Sequence, residues 1–328
     1  MPSPNSTFTE LVTTTLRNHR KEIADNISNN NALLRKLEND GQKVIEDGGL
    51  SIVCGLEYAE NTTYQRYSGY DVLNIQASDV LTAAEYPWKN AAVNVTASGE
   101  EIRKNSGSKT RLFNLVMERI TNAEHTAQNN MSSDVYSDGT ANNQINGLQA
   151  ICPDSAGGTL GGINGTTYTF WRAVVQSAAS PLYGSAITLS ASTFEQFMRQ
   201  PYLACTRGSD KPNLIVFDNT YYDLFEASQV SIKRYTADDT TGKSNANAGL
   251  VTIKYKNADV FFDGGSGIPS AHGYMLNTKY FKYVVHRDAD WTEVSEQRPI
   301  NQDAVVIPML WMGNLICSGR KFNAVLKA

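Results

Sequence analysis

Residues 57–102 read EYAENTTYQRYSGYDVLNIQASDVLTAAEYPWKNAAVNVTASGEEI, and this stretch decides the class of fold. Tyr58 to Tyr70 is strand-like, with Tyr64, Arg66, Ser68 and Tyr70 on one face. Val93, Val95 and Ala97 alternate on the return. Polar groups occupy both faces, and a two-stranded excursion without a dry face is marginal alone in water. The segment must therefore lie on its own chain, as an ordinary surface hairpin, or be received by another chain. Tyr86-Pro87-Trp88 adds an aromatic anchor of the kind interfaces use. Tyr64, Arg66, Tyr70, Tyr86 and Trp88 are the candidate inter-subunit contacts, and removal of 61–95 is expected to leave a soluble subunit.

Working outward, the next segment is the strongest helix of the chain. Leu112, Val116, Ile120, Ala123, Ala127 and Met131 form one stripe, and at ~1.5 Å per residue such a helix spans roughly 30 Å. Upstream, Phe8, Leu11, Val12, Leu16, Ile23 and Ile27, continued by Leu33, Leu34 and Leu37, predict helix over 6–39, ending at Asp40-Gly41. Downstream, 138–170 is rich in Gly and Asn. Its GGTLGGING has neither the spacing nor the following helix of a dinucleotide fingerprint. It reads as an ordered loop with several positive-φ positions.

From about 180 the pattern is mixed α/β. Ser192 and Glu195 predict a capping box. NLIVF (213–217) predicts a buried strand, with Asp218 or Asn219 capping a helix that bears Tyr221, Tyr222, Leu224 and Phe225. LVTIKYKNADVFFD predicts two strands turning at Asn257; YMLNTKYFKYVVH and DAVVIPML predict more, with Pro308 at an edge or bulge.

Composition narrows the function. The 328 residues carry 41% hydrophobic and 19% charged side chains, no run approaches the ~20 apolar residues of a membrane helix, and the N-terminus lacks the pattern of a secretory signal. Net charge is −4, without the basic stripe of a tight nucleic-acid binder. The four cysteines and four histidines show no metal-ligand spacing, and buried free thiols in a reducing compartment are expected. Ala237, Gly242, Lys243 and Ser244 match a permissive phosphate-loop pattern. A working loop of that kind joins a buried strand to a helix. Here Asn/Gly-rich sequence and then a strand follow, and Asp238 and Asp239 would repel a polyphosphate. His286-Arg287-Asp288 lacks every companion of the kinase triplet. No cofactor, metal or catalytic residue is expected.

The order of parts, together with INGLQAI (145–151), GGTLGGING (157–165) leading to FWR (170–172), DKPNLIVFDNTYYDLFE (210–226), YMLNTKYF (274–281) and RPINQDAVVIPMLWMGNLICSGRKFNAVL (298–326), resembles the major capsid protein of tailed bacteriophages. The resemblance runs from about residue 50 onward. It implies an α+β fold of the Hong Kong 97 type: an N-terminal arm (1–50), an extension loop (51–107), a peripheral domain with a spine helix (108–180), an axial domain (181–300) and C-terminal strands returning to the core sheets (301–328). It implies self-assembly into hexamers and pentamers of a virion shell, built in the host bacterial cytoplasm. The packaged DNA would be contacted weakly, and a portal and a cement or decoration protein are possible partners. With about 55 residues before the 57–102 stretch, a separate scaffolding protein is implied, unless the chain is already processed. Lys89 lies in the loop, but no C-terminal asparagine matches the partner of the crosslink some relatives form. A nanocompartment shell protein of the same fold lineage, and a nucleotide-binding enzyme using 237–244, are the alternatives.

Overall fold

The computed structural model describes residues 31–105, 109–230, 253–263, 267–294, 297–298 and 300–328. In chain order the main elements are α1 (Ala32–Asn39), β1 (Lys43–Glu46), β2 (Ile52–Glu57), β3 (Leu81–Tyr86), β4 (Lys89–Ser98), α2 (Gly99–Asn105), α3 (Lys109–Asp134) and α4 (Leu148–Ile151). The short strands β5 (Thr159–Leu160) and β6 (Ile163–Asn164) follow, then β7 (Val174–Ser177), α5 (Phe194–Cys205), β8 (Leu214–Phe217), α6 (Asn219–Val230), β9 (Ile253–Tyr255) and β10 (Ala258–Phe262). The chain ends with β11 (His272–Leu276), β12 (Phe281–His286), β13 (Thr292–Glu293), β14 (Ala304–Cys317) and β15 (Ala324–Lys327).

Two sheets carry the molecule. In one, β12 runs parallel to β1 and antiparallel to β14, while β4 pairs along β14 from Ser98↔Ala304 to Lys89↔Gly313. Helix α3 packs on β4, burying Ile120, Ala123, Ala127 and Met131 at three- and four-residue steps; the side chains of Leu112 and Val116 lie outside the described residues. Ser98 and Glu101 start α2 with reciprocal 3.2 Å bonds, a capping box, and Glu101 also pairs with Arg119 of α3 at 2.9 Å. The second sheet has the order β7-β15-β11-β8-β10-β9. All four residues of β8 are buried. Asp218 caps α6 by accepting from Tyr221 N at 3.0 Å, and it ties that helix to β11 by accepting from Ala271 N at 2.7 Å. Phe194 and Phe197 of α5 meet Tyr221 edge-on over this sheet. The larger apolar core takes residues from both sheets, among them Val285, Trp311, Val216 and Val325.

Buried Arg320 is the hub of the Gly-rich segment. It donates from Nε to Ile151 O (2.6 Å), from Nη2 to Ala150 O (3.2 Å), and from Nη1 to Gly158 O (3.1 Å) and Trp171 O (3.5 Å). Its fixed fork of donors organises three chain segments that lack a ladder of their own. Gly161, at φ 59, brings the loop against β3: its carbonyl accepts from Glu85 N at 3.0 Å, and a Cβ there would stand 2.8 Å from that of Ala84. Gly161 therefore serves close backbone approach.

Several expectations are met locally. Gly41 at φ 70 follows α1, and β9 and β10 form a hairpin through Lys256 (φ 56) and Asn257. The part of the 6–39 helix before residue 31 lies outside the described residues.

Others are corrected. Tyr58 to Tyr70 is not a strand; the ladder below it joins β2 to β3, and β4 pairs with β14. Asn, Asp and Ser side chains in 61–78 bond the local backbone and compete with a ladder. Nor is 61–95 dispensable, because it includes β3 and most of β4, whose Ala84, Tyr86 and Val95 are core. The Ser192/Glu195 capping box does not form: α5 begins one residue later, and Thr193 Oγ1 instead accepts from Ser190 N and donates to Thr188 O. Pro308 sits in an interior strand, flanked by β4 and by the β13 side. Its carbonyl accepts from Val294 N at 2.9 Å, and its missing N–H falls just past the two-residue β13.

Candidate interaction surface

Strands β2 and β3 form a stalk, paired from Ile52↔Tyr86 to Glu57↔Leu81. Their alternation puts Ile52, Leu56, Ala84 and Tyr86 inward and leaves Val53 and Leu81 exposed. Beyond the neck, where Tyr58 N donates to Val80 O at 3.0 Å, residues 58–80 form a loop without strands or helices.

Side chains hold this loop in shape. Gln65 bridges its two limbs like a stray peptide unit, donating to Val72 O at 2.9 Å and accepting from Asn74 N at 3.1 Å. At the tip, Ser68 to Asp71 form a tight turn: Asp71 N donates to Ser68 O, Ser68 N donates to Asp71 Oδ2 at 2.8 Å, and Gly69 adopts φ 53. The loop nevertheless exposes Tyr64, Tyr67, Tyr70, Val72, Leu73 and Ile75, with Tyr70, Val72 and Ile75 above 90%. Contiguous apolar exposure of this kind marks an interaction surface. A fully buried aliphatic side chain contributes ~1.5–3 kcal/mol, so covering Val72, Leu73 and Ile75 alone would contribute about 6 kcal/mol.

The five predicted contact residues separate into two groups. Tyr64, Arg66 and Tyr70 are exposed on the loop. Tyr86 is fully buried in its own chain, its hydroxyl donating to Cys317 O at 2.7 Å, and burial pushes its phenol pKa up. An inward position on β3 leaves it no surface to offer a neighbour, so this assignment is corrected. Trp88 is half-buried. It donates to Gly49 O at 3.0 Å and lies edge-on to His286 at 5.8 Å, clasping the stalk where it leaves the body. Sequence reasoning missed Tyr67, Val72, Leu73 and Ile75; their signal was apolar residues in a stretch with no alternation to hide them.

The other chemical candidates are structural or lie elsewhere. His286, Arg287 and Asp288 form a strand end and turn, with Asp288 N donating to His286 Nδ1 at 3.1 Å and Arg287 paired with Asp47 at 2.8 Å. Cys152, Cys205 and Cys317 are buried free thiols and Cys54 is half-buried; burial raises all four pKa values, those of Cys205 and Cys317 to about 12. Among the described residues no three His, Cys, Asp or Glu side chains are grouped to hold a metal ion, and no helix is long and apolar enough to cross a membrane. The phosphate-loop match at 237–244 lies outside the described residues.

No protein-family model matches this chain, and no curated protein matches it in sequence. Solved structures do. The capsid asymmetric unit of cyanophage A-1(L) is similar at a TM-score of 0.62 and 16% identity, over 87% of this chain and 90% of that one. The capsid of a native GTA particle gives 0.53 at 12% identity, over 89% of each chain, and a structure from Mycobacterium phage Bobi gives 0.52 at 6%, over 89% of each. These likenesses span almost the whole chain at identities where only fold is shared. The chain has the mixed α+β fold of phage capsid subunits.

Proposed function

We propose that this chain is the major capsid protein of a tailed bacteriophage, assembling as hexamers and pentamers into an icosahedral shell around double-stranded DNA. The observation that carries this reading is the loop at 58–80. It is preshaped by its own side chains and has an apolar surface that no described residue of its own chain covers. On a fold shared with phage capsid subunits, a neighbouring copy is the natural cover. Association that repeats head to tail closes into rings when the rotation allows it.

In this reading residues 1–50 are an N-terminal arm, 51–107 the extension loop, 108–180 a peripheral domain built on α3, 181–300 an axial domain, and 301–328 the strands that return to the core. A separate scaffolding protein, a portal and a cement protein are the further partners. The protein resides in the virion after assembly in the host cytoplasm and catalyses no reaction. The net charge of −4 suits a wall that contacts DNA weakly. No observation among the described residues favours the nanocompartment alternative. Electron microscopy and sedimentation of the purified protein test the proposal: closed shells, or capsomers and aggregates when scaffold is lacking, are expected, and a stable monomer at high concentration would refute it.

A further inference from the structure

His272 opens β11, and Asp154 lies between α4 and β5, 118 residues earlier in the chain. The two side chains meet. His272 Nε2 stands 3.0 Å from Asp154 Oδ1, and its Nδ1 stands 2.8 Å from Ser270 O. A backbone carbonyl only accepts, and so does an ionised carboxylate. Both ring nitrogens must therefore carry a proton to make both bonds. A neutral imidazole has one N–H, so either tautomer turns a lone pair toward one of the two oxygens. We propose that Asp154 and His272 form a proton latch that pins residues 153–157 to the end of the six-stranded sheet, closed while the imidazole holds both protons and opened by the loss of one.

The surroundings give the latch something to hold. Arg320 fixes the chain on either side, at Ile151 O and Gly158 O. Between those points residues 153–157 form an arch without strand or helix. Among the described residues, the pair with His272 is the only hydrogen bond or ion pair this arch makes. The bond from Nδ1 serves the turn before β11. Ala271 sits there at φ 55, a strained conformation for a residue with a Cβ. Its N–H donates to Asp218 Oδ2 at 2.7 Å, and the imidazole closes the turn from the other side. Several other ionisable groups stand around the ring. Lys327 on β15 is the register partner of His272, and Asp218 on the β8 side is taken up by the amides of Ala271 and Tyr221. Asp263, at the same end of the sheet, accepts from Tyr136. Tyr274, two residues along β11, is buried; burial first, then Cys152 and Asp154, raises its phenol pKa. Asp154 is the carboxylate bonded to the ring, and its side chain is half in water. The pair therefore has the few-fold strength of a partly exposed ion pair, roughly 0.2–1 kcal/mol, which suits a contact that opens and closes. Histidine changes charge between about pH 5 and 8, so the latch is closed on the acid side and released as pH rises. In the division proposed above, Asp154 falls in 108–180 and His272 in 181–300, so a closed latch ties those two parts; that consequence alone rests on the assembly reading.

Nitrogen NMR of the full chain with isotope-labelled histidine tests the latch directly, with His272→Gln assigning the signal. Both ring nitrogens of His272 are expected to carry protons at about pH 6 and one of them at about pH 9; a single N–H at the lower pH would overturn the proposal. A spin label on Ser155→Cys, in a Cys54→Ala background, reads the arch itself. With Asp154 and His272 in place the label should be held at about pH 6 and loosen at about pH 9. Asp154→Ala should leave it loose at both. Asp154→Asn should hold it at both, because the amide accepts from the charged ring through Oδ1 and donates to the neutral ring from Nδ2. An arch equally ordered at both pH values with the native pair, or an Asp154→Asn arch that still loosens as pH rises, refutes the latch. None of these readouts depends on whether shells form.

Discussion

Replacing Arg320 by Met keeps much of the side-chain volume and removes every donor. Of the four carbonyls it serves, Gly158 O also accepts from Gly165 N at 3.0 Å, and Trp171 O is a long 3.5 Å contact. Ala150 O and Ile151 O depend on the guanidinium most directly. Each buried polar group left unpaired costs ~1–3 kcal/mol, so the two together cost roughly 2–6 kcal/mol. Relief of burying the guanidinium opposes this, since burial already lowers its pKa. It does not cancel the loss, because α4, the Gly158 loop and the Trp171 turn lose their common tie. A net destabilisation of about 3 kcal/mol is expected, which at ~2 °C per kcal/mol for a chain of this size lowers Tm by about 6 °C. Arg320→Lys should fall nearly as far, because a point ammonium cannot fork to carbonyls on several sides. Thermal unfolding followed by tryptophan fluorescence suits the test, since Trp171 sits in the affected cluster and donates to Leu160 O at 3.0 Å. Hydrogen exchange over 157–171 gives an independent readout. An Arg320→Met subunit within 1 °C of wild type, with unchanged exchange, would refute the hub role.

Excising 61–77 in favour of a short Gly-Ser link should leave subunit Tm within ~2 °C, as surface changes do, yet abolish assembly in sedimentation; normal shells would remove the loop from the interface. Gly161→Val should destabilise the subunit by about 2 kcal/mol, since a β-branched residue at φ 59 is strained and its Cβ would meet Ala84; an unchanged denaturant midpoint would contradict this. Stability should also fall in alkali. Cys205 and Cys317 have folded pKa values raised to about 12 by burial, so their contribution is complete below the unfolded value near 9 and lost as pH rises toward 12. Urea midpoints that hold or rise from pH 9 to 11 would refute that sign. At pH 8 a thiol reagent should label at most Cys54 before unfolding, and all four cysteines after it.

The local chemistry of the chain was legible in its residues. The stripe from Ile120 to Met131 forecast the buried face of α3, Asp218 after NLIVF forecast the strand-cap-helix unit, and the glycines of 157–165 forecast an ordered loop with positive-φ positions. Each depends on neighbours a few residues away, and short-range sterics and hydrogen bonding set those outcomes whatever the rest of the chain does. Only the tertiary structure decided the partners. The alternation at Val93, Val95 and Ala97 announced a strand, but β14, more than two hundred residues later, supplied its ladder. Tyr86 and Tyr70 look alike in sequence; one closes a bond to Cys317 in the core and the other stands free at a loop apex. Arg320, in the SGRKF of the last motif, became the hub because three distant carbonyl-bearing segments converge on it. Periodicity reveals that a side chain has somewhere dry to go. Which surface provides that place is fixed by contacts whose sequence separation no local pattern encodes.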